Sequence, residues 1–445
     1  MRRTTISNLR QFLLALLLPA VAIATGLQSC NDEGPGIPAE ENETAKSFDN
    51  PLMRSPEEAL DIAQRAYEDF YGDATPSSRG RSIIDCSRPV EVVRGARSCG
   101  GNADTLLYIV NFVDDQGFAV IAAPRAADEL LAVTSQGHYY PESDSDAESV
   151  PGFDMWMENA KAYTNILYDS IRIITPINPD IPGLLQQKEW EDTIQKLIAG
   201  PYLNVAWGQG CGLPVNIHYY PEGYYFQNGW AGCSTAAIAQ VCAFYQAPDK
   251  IAVNPTLGAE DYYLDWSKMI FHKIYAPNTS LSWKCEDSYE THLMIAQFYK
   301  ILAVWTNASP HGESGTSTLT SNVLPVLRYL LPDKTIYEWK DLKFTNGPAQ
   351  NELFIMRGKN GISGHMWLCD GWKYINRIHY FATRPNSNAN WEIQSEERIL
   401  EQFLHYNWGW DGQYNGWFNN AANAIIYHKD GTYSNYEELK YSKIS

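Results

Sequence analysis

An α+β fold is predicted for this chain, and three patterns carry the expectation. Short apolar runs rich in β-branched and aromatic residues are separated by turn residues, as in paired strands. A Ser-Pro-Glu-Glu start precedes an apolar stripe at helical spacing. Past the middle, an Ala-rich segment after a glycine loop reads as a buried helix, followed by a Gly- and Trp-rich region of strands and turns. At 445 residues the chain has room for two to three domains of ~150 residues. Apolar residues are 44% and charged residues 19%, which excludes disorder throughout. The net charge is −18, so the basic face of a nucleic-acid binder is not expected. No two of the cysteines (Cys30, Cys86, Cys99, Cys211, Cys233, Cys242, Cys285, Cys369) form CxxC, and no HExxH, Walker loop or GxGxxG is present. Neither a metal nor an organic cofactor is expected.

Taken in order, the chain opens with Arg2, Arg3 and Arg10 before an apolar run of 13 residues, 12–24. That is shorter than the ~20 residues of a bilayer span but suits a signal peptide. Leu27-Gln28-Ser29-Cys30 resembles a bacterial lipobox, with lipid attached at Cys30. The expectation is a lipoprotein signal over 1–29, a polar tether over 30–50, and export with a lipid anchor in the cell envelope. A helix follows Ser55-Pro56-Glu57-Glu58. Strands are expected at 106–112, 117–122 and 130–134, the first two joined by a turn at Asp114-Asp115-Gln116-Gly117. Residues 152–198 read as helices broken by Pro176, Pro179 and Pro182, the long one near 153–171, with a boundary at about 175–195.

The candidate chemistry lies beyond that boundary. In Gly232-Cys233-Ser234-Thr235-Ala236-Ala237, Cys233 heads the Ala-rich helix, where N–H groups and the positive dipole end favour thiolate. A lone cysteine is more often a buried structural thiol, a description that suits Cys242 better. His365, in Gly361-Ile362-Ser363-Gly364-His365-Met366-Trp367-Leu368-Cys369-Asp370-Gly371, heads an apolar strand, with a turn expected at Asp370-Gly371. The spacing 365 − 233 = 132 falls in the ~130–150 interval of papain-type enzymes. Asn407 and Trp408, in Asn407-Trp408-Gly409-Trp410-Asp411-Gly412, could orient and shield an imidazole. Gln209, in Trp207-Gly208-Gln209, could donate to an oxyanion.

Together and in this order, these motifs resemble the streptopain family, secreted bacterial cysteine proteases of the papain-like clan. The resemblance implies a papain-like catalytic domain, a helical part plus an antiparallel β part, over 191–445. A small α+β propeptide domain over 51–190 would precede it and cover the cleft as an intramolecular inhibitor. It implies a zymogen of a cysteine endopeptidase acting on protein or peptide substrates, with Cys233 as nucleophile and His365 as general base. Gln209 would be the oxyanion donor, and Asn407 and Trp408 the groups that orient and shield the imidazole. Ser314, Gly315 and Gly364 would line the substrate cleft. Asp411 departs from the pattern, standing where a Gly is common. Other readings are a transglutaminase or amidase of the same clan, a non-catalytic ligand-binding surface protein, or an inhibitor built on the propeptide-like region.

Overall fold

Helix α1 (Pro56–Tyr71) begins where the sequence sets a cap. The Ser55 amide donates to Glu58 Oε2 at 2.7 Å, and the Glu58 amide donates to Ser55 Oγ at 3.2 Å, a reciprocal capping box. The computed structural model describes residues 53–71, 89–93, 105–140, 150–174, 186–203, 205–209, 230–254, 260–270, 289–310, 315–342, 347–360, 363–384, 390, 392–423 and 437–445. The signal, the tether, Cys30 and Ser314 lie outside them. Among the described residues no helix is long and apolar enough to cross a membrane.

The first region supplies β1 (Val90–Val93), β2 (Thr105–Asn111), β3 (Phe118–Ala122), β4 (Leu130–Thr134) and helix α2 (Pro151–Ile174). The three expected strands and the long helix are thus present. The stretch after α2 differs from the expectation of further helices: Gln186–Ala199 forms strand β5. Trp190, Thr193, Ile194 and Ile198 suit a strand, and a distant partner edge overrides the local helical reading.

The second region supplies α3 (Cys233–Tyr245), β6 (Lys250–Ala252), β7 (Asp261–Tyr263), α4 (Trp266–Met269), α5 (Tyr289–Trp305), β8 (Ser309–Pro310), β9 (Thr316–Ser317) and α6 (Thr320–Leu330). Strands β10 (Lys340–Asp341), β11 (Leu353–Asn360), β12 (Ser363–Arg384), β13 (Glu392–Asn407), β14 (Gly416–Asn419) and β15 (Glu437–Ile444) follow. The main sheet runs β1-β2-β3-β4-β14-β13-β12-β11-β15-β10, with β5 also paired to β12. Its pairings are antiparallel. The turn expected at Asp370-Gly371 is instead an irregularity inside β12, where the register to β13 shifts between Cys369 and Gly371. A Cβ on Gly371 would stand 2.8 Å from the Ala199 carbonyl, so the close approach of β5 keeps this point glycine.

The sheet crosses the boundary expected at residue 190. Strand β4 pairs with β14 through Thr134↔Gly416, Val133↔Trp417 and Ala132↔Phe418, and residues 49–445 form one compact unit. Alternation along the strands sorts the core onto two faces. Leu107, Ile109, Phe118, Val120, Trp367, Tyr406 and Phe418 pack with Phe153, Trp156 and Met157 of α2. Tyr108, Val110, Ala119, Ile121, Phe403 and Trp417 pack with α1. Met366 and Leu368 join α3, α5 and α6 in a third cluster. Lys373 of β12 ties down α1: its Nζ donates to the Asp69 carbonyl at 2.9 Å and lies 3.4 Å from the Phe70 ring centre.

Candidate active site

Helix α3 starts at Cys233 because Gly232, at φ 85° and ψ 148°, turns the chain into it. A Cβ on Gly232 would stand 2.7 Å from the Thr316 carbonyl, so β9 runs against the entry to the helix. Thr316 Oγ1 also donates to the Trp230 carbonyl at 2.6 Å. Gly315, at φ 102°, adjoins this contact, and among the described residues a Cβ on it would meet nothing within 4 Å. Gly364 is exposed beside His365.

Cys233 is partly exposed, and backbone N–H groups, including that of Met366, hydrogen-bond its sulfur. Burial nevertheless pushes the thiol pKa up, and the N–H groups offset this only in part. Desolvation thus works against the preference for thiolate expected at the helix terminus. His365 is buried at 4% exposure, and burial lowers its pKa to about 4 against a smaller opposing effect of the Trp408 carbonyl. Its Nε2 lies 3.1 Å from that carbonyl oxygen. A carbonyl only accepts, so Nε2 carries the proton and Nδ1 is the basic nitrogen.

Among the described residues no hydrogen bond joins Cys233 to His365. The imidazole stacks on Trp367 with ring centres 6.1 Å apart, on the α2 side of the sheet. Helix α2 lies directly on it: a Cβ on Gly152 would stand 2.5 Å from His365 Cδ2 and 2.6 Å from Trp408 Cε3. Only glycine lets the backbone come this close. Nothing in the sequence singled out Gly152; its role shows only once α2 is docked.

Gln209 is buried, and its carbonyl accepts from the Ala231 amide at 2.8 Å, which brings it beside the segment entering α3. Trp408 is fully buried; its amide donates to Asn415 Oδ1 at 3.0 Å and its Nε1 to the Tyr414 carbonyl at 3.0 Å. Asn407 does not bond the imidazole here. Its Nδ2 donates to the Val205 carbonyl at 3.2 Å and its Oδ1 accepts from the Gly409 amide at 3.0 Å. It braces the turn after β13 and the segment entering Trp207-Gly208-Gln209.

A buried pair that the sequence did not signal works on the same segment. His405 Nδ1 lies 2.6 Å from Asp370 Oδ1, and Asp370 Oδ2 accepts from the Leu203 amide at 2.8 Å. The Asp370 carbonyl accepts from the Tyr202 amide at 3.0 Å. Cys242 and Cys369 are buried free thiols, and burial raises both pKa values. Among the described residues no cluster of three or more His, Cys, Asp or Glu side chains is placed to hold a metal ion.

Comparison with known proteins bears on the same stretch. The Peptidase C10 family model matches residues 207–418, which include Gln209, Cys233, His365, Asn407 and Trp408. A curated relative, "Thiol protease/hemagglutinin PrtT" of Porphyromonas gingivalis, is 23% identical over 364 residues. The match covers 76% of this chain, which spans about a third (36%) of that relative's length. A solved Prevotella intermedia prointerpain A fragment aligns over 80% of this chain and 97% of its own, at 16% identity and a TM-score of 0.45. With a half-buried cysteine heading a helix and a buried glutamine beside the segment that enters it, this chain is similar to the Peptidase C10 (streptopain) family over residues 207–418.

Proposed function

We propose that the chain is the zymogen of a secreted cysteine endopeptidase. The observation that carries this reading is the contact of Gly152 in α2 with His365 and Trp408, beside a helix that begins at Cys233. In this reading residues 51–190 are the inhibitory prosegment and α2 is the part that holds the imidazole away from the thiol. Removing α2 rehydrates His365, frees it from the Trp408 carbonyl and lets Nδ1 take the thiol proton.

The Cys233 thiolate then attacks a peptide carbonyl, with Gln209 and the Cys233 amide holding the oxyanion. His365 gives the proton to the leaving amine, and water hydrolyses the thioester and restores the thiol. Gly315 and Gly364 border the cleft in this reading, as does Ser314 by its place in the sequence. The lipobox reading adds export and anchoring through lipid on Cys30.

The test is incubation of the chain from residue 31, reduced, alone or with trypsin. Peptide cleavage and fragment masses are followed for wild type, Cys233→Ala and His365→Ala. Peptide hydrolysis by wild type after the prosegment is lost, absent in both variants, is the expected result. Amine incorporation without peptide cleavage would replace the reading with that of a transferase; no turnover of either kind would leave a binding protein.

A further inference from the structure

We propose that Asp411 is a positioning residue that holds the Trp207-Gly208-Gln209 loop, and with it the oxyanion donor, against the catalytic helix. The inference rests on the peptidase reading above.

Asp411 sits at φ 56°, in the left-handed region where a side chain costs conformational energy and glycine does not. A side chain kept there against that cost is explained by what it touches. A Cβ on Gly208 would stand 2.3 Å from Asp411 Oδ1 and 2.9 Å from Oδ2, so the carboxylate lies flat against the backbone between Trp207 and Gln209. From the other side, the Ala231 amide holds the Gln209 carbonyl at 2.8 Å. The loop is thus gripped between the entry to α3 and the turn after β13.

That turn reaches the other reacting parts as well. Its Trp408 carbonyl meets His365 Nε2. A Cβ on Gly409 would lie 3.7 Å from Ala236 Cβ and 3.8 Å from Gln240 Nε2, on the α3 surface one and two turns beyond Cys233. The same corner holds buried donors: Trp207 Nε1, Gln240 Nε2 and the Tyr299 hydroxyl make no hydrogen bond among the described residues. Trp207 and Tyr299 have ring centres 6.2 Å apart, and the Asp411 charge is close enough to reinforce the effect of burial in raising the Tyr299 pKa.

The experiment compares Asp411→Gly and Asp411→Asn with wild type, each freed of its prosegment. Glycine relieves the left-handed backbone, so the Tm of Asp411→Gly should hold or rise. Its kcat should nevertheless fall roughly 10- to 100-fold through loss of donor alignment, with KM changed little. A peptide aldehyde, whose adduct places an oxyanion in the hole, should bind more weakly by a similar factor. Alkylation of Cys233 by iodoacetamide, which forms no oxyanion, should keep its rate. Asparagine, which tolerates the left-handed region and has the carboxylate's shape, should restore most of kcat.

A wild-type kcat in Asp411→Gly would overturn the proposal. So would a lowered Tm with kcat, aldehyde binding and alkylation all falling together, the mark of a merely structural role. Wild-type protein without peptidase activity would remove the reading beneath it, a result separate from an active wild type with an equally active variant.

Discussion

Burial favours the neutral forms of both Cys233 and His365 where they stand, raising one pKa and lowering the other. In the proposed zymogen this works against the thiolate–imidazolium pair that peptide cleavage requires. Gln209 is already beside the start of α3 through its bond to Ala231. Gln209→Ala in the processed protein should cut kcat about 10²–10³-fold with little change in KM, read from steady-state peptide hydrolysis; an unchanged kcat would remove Gln209 from the oxyanion site. Cys233 was legible as the first helical residue because a glycine loop and an Ala-rich run are local signals. The present partners of Asn407 were not legible. An asparagine announces hydrogen-bonding capacity, and only the fold decides that Val205 and Gly409 receive it rather than the imidazole.

In the proposed zymogen, helix α2 is the element on which inhibition turns. Gly152→Ala sets a methyl against two rigid rings, so the unprocessed chain should lose its grip on α2 and show faster amide exchange there. The processed enzyme, which lacks residue 152, should be unaffected. Docking should also weaken in acid. The ordinary histidine value is 6.5 and that of docked His365 is about 4, so between these values the docked form binds fewer protons than an open one. Its stability is complete above pH 6.5 and is lost as pH falls toward 4, by about 2 kcal/mol at pH 5. Limited proteolysis of Cys233→Ala at pH 7 and pH 5 should show α2 released faster at pH 5, and His365→Gln should flatten that difference. Among the elements, α1, β2, β3, β4 and α2 were legible because each carries its own period, cap or turn. Strand β5 was not, because its partner β12 lies far along the chain and local composition reads equally as helix.

Across the whole molecule, the β4–β14 pairing makes the first region part of the same sheet that carries His365 and Asn407. This juncture was not legible either, since pairing of distant strands leaves no mark in either segment alone. Trp417 of β14 is buried against Phe70 of α1 and His405 of β13, with ring centres 5.7 and 5.0 Å apart. Trp417→Ala should cost about 3–5 kcal/mol. It should lower one unfolding transition, shared by near- and far-ultraviolet circular dichroism, rather than release the first region alone. The most direct test of the central claim, a Cys233 nucleophile masked by the chain's own prosegment, is site-mapped labelling with an irreversible peptidyl cysteine-protease inhibitor before and after the prosegment is removed. The account predicts label on Cys233 alone and only after removal; label on Cys242 or Cys369, or equal labelling of Cys233 in the intact chain, would contradict it.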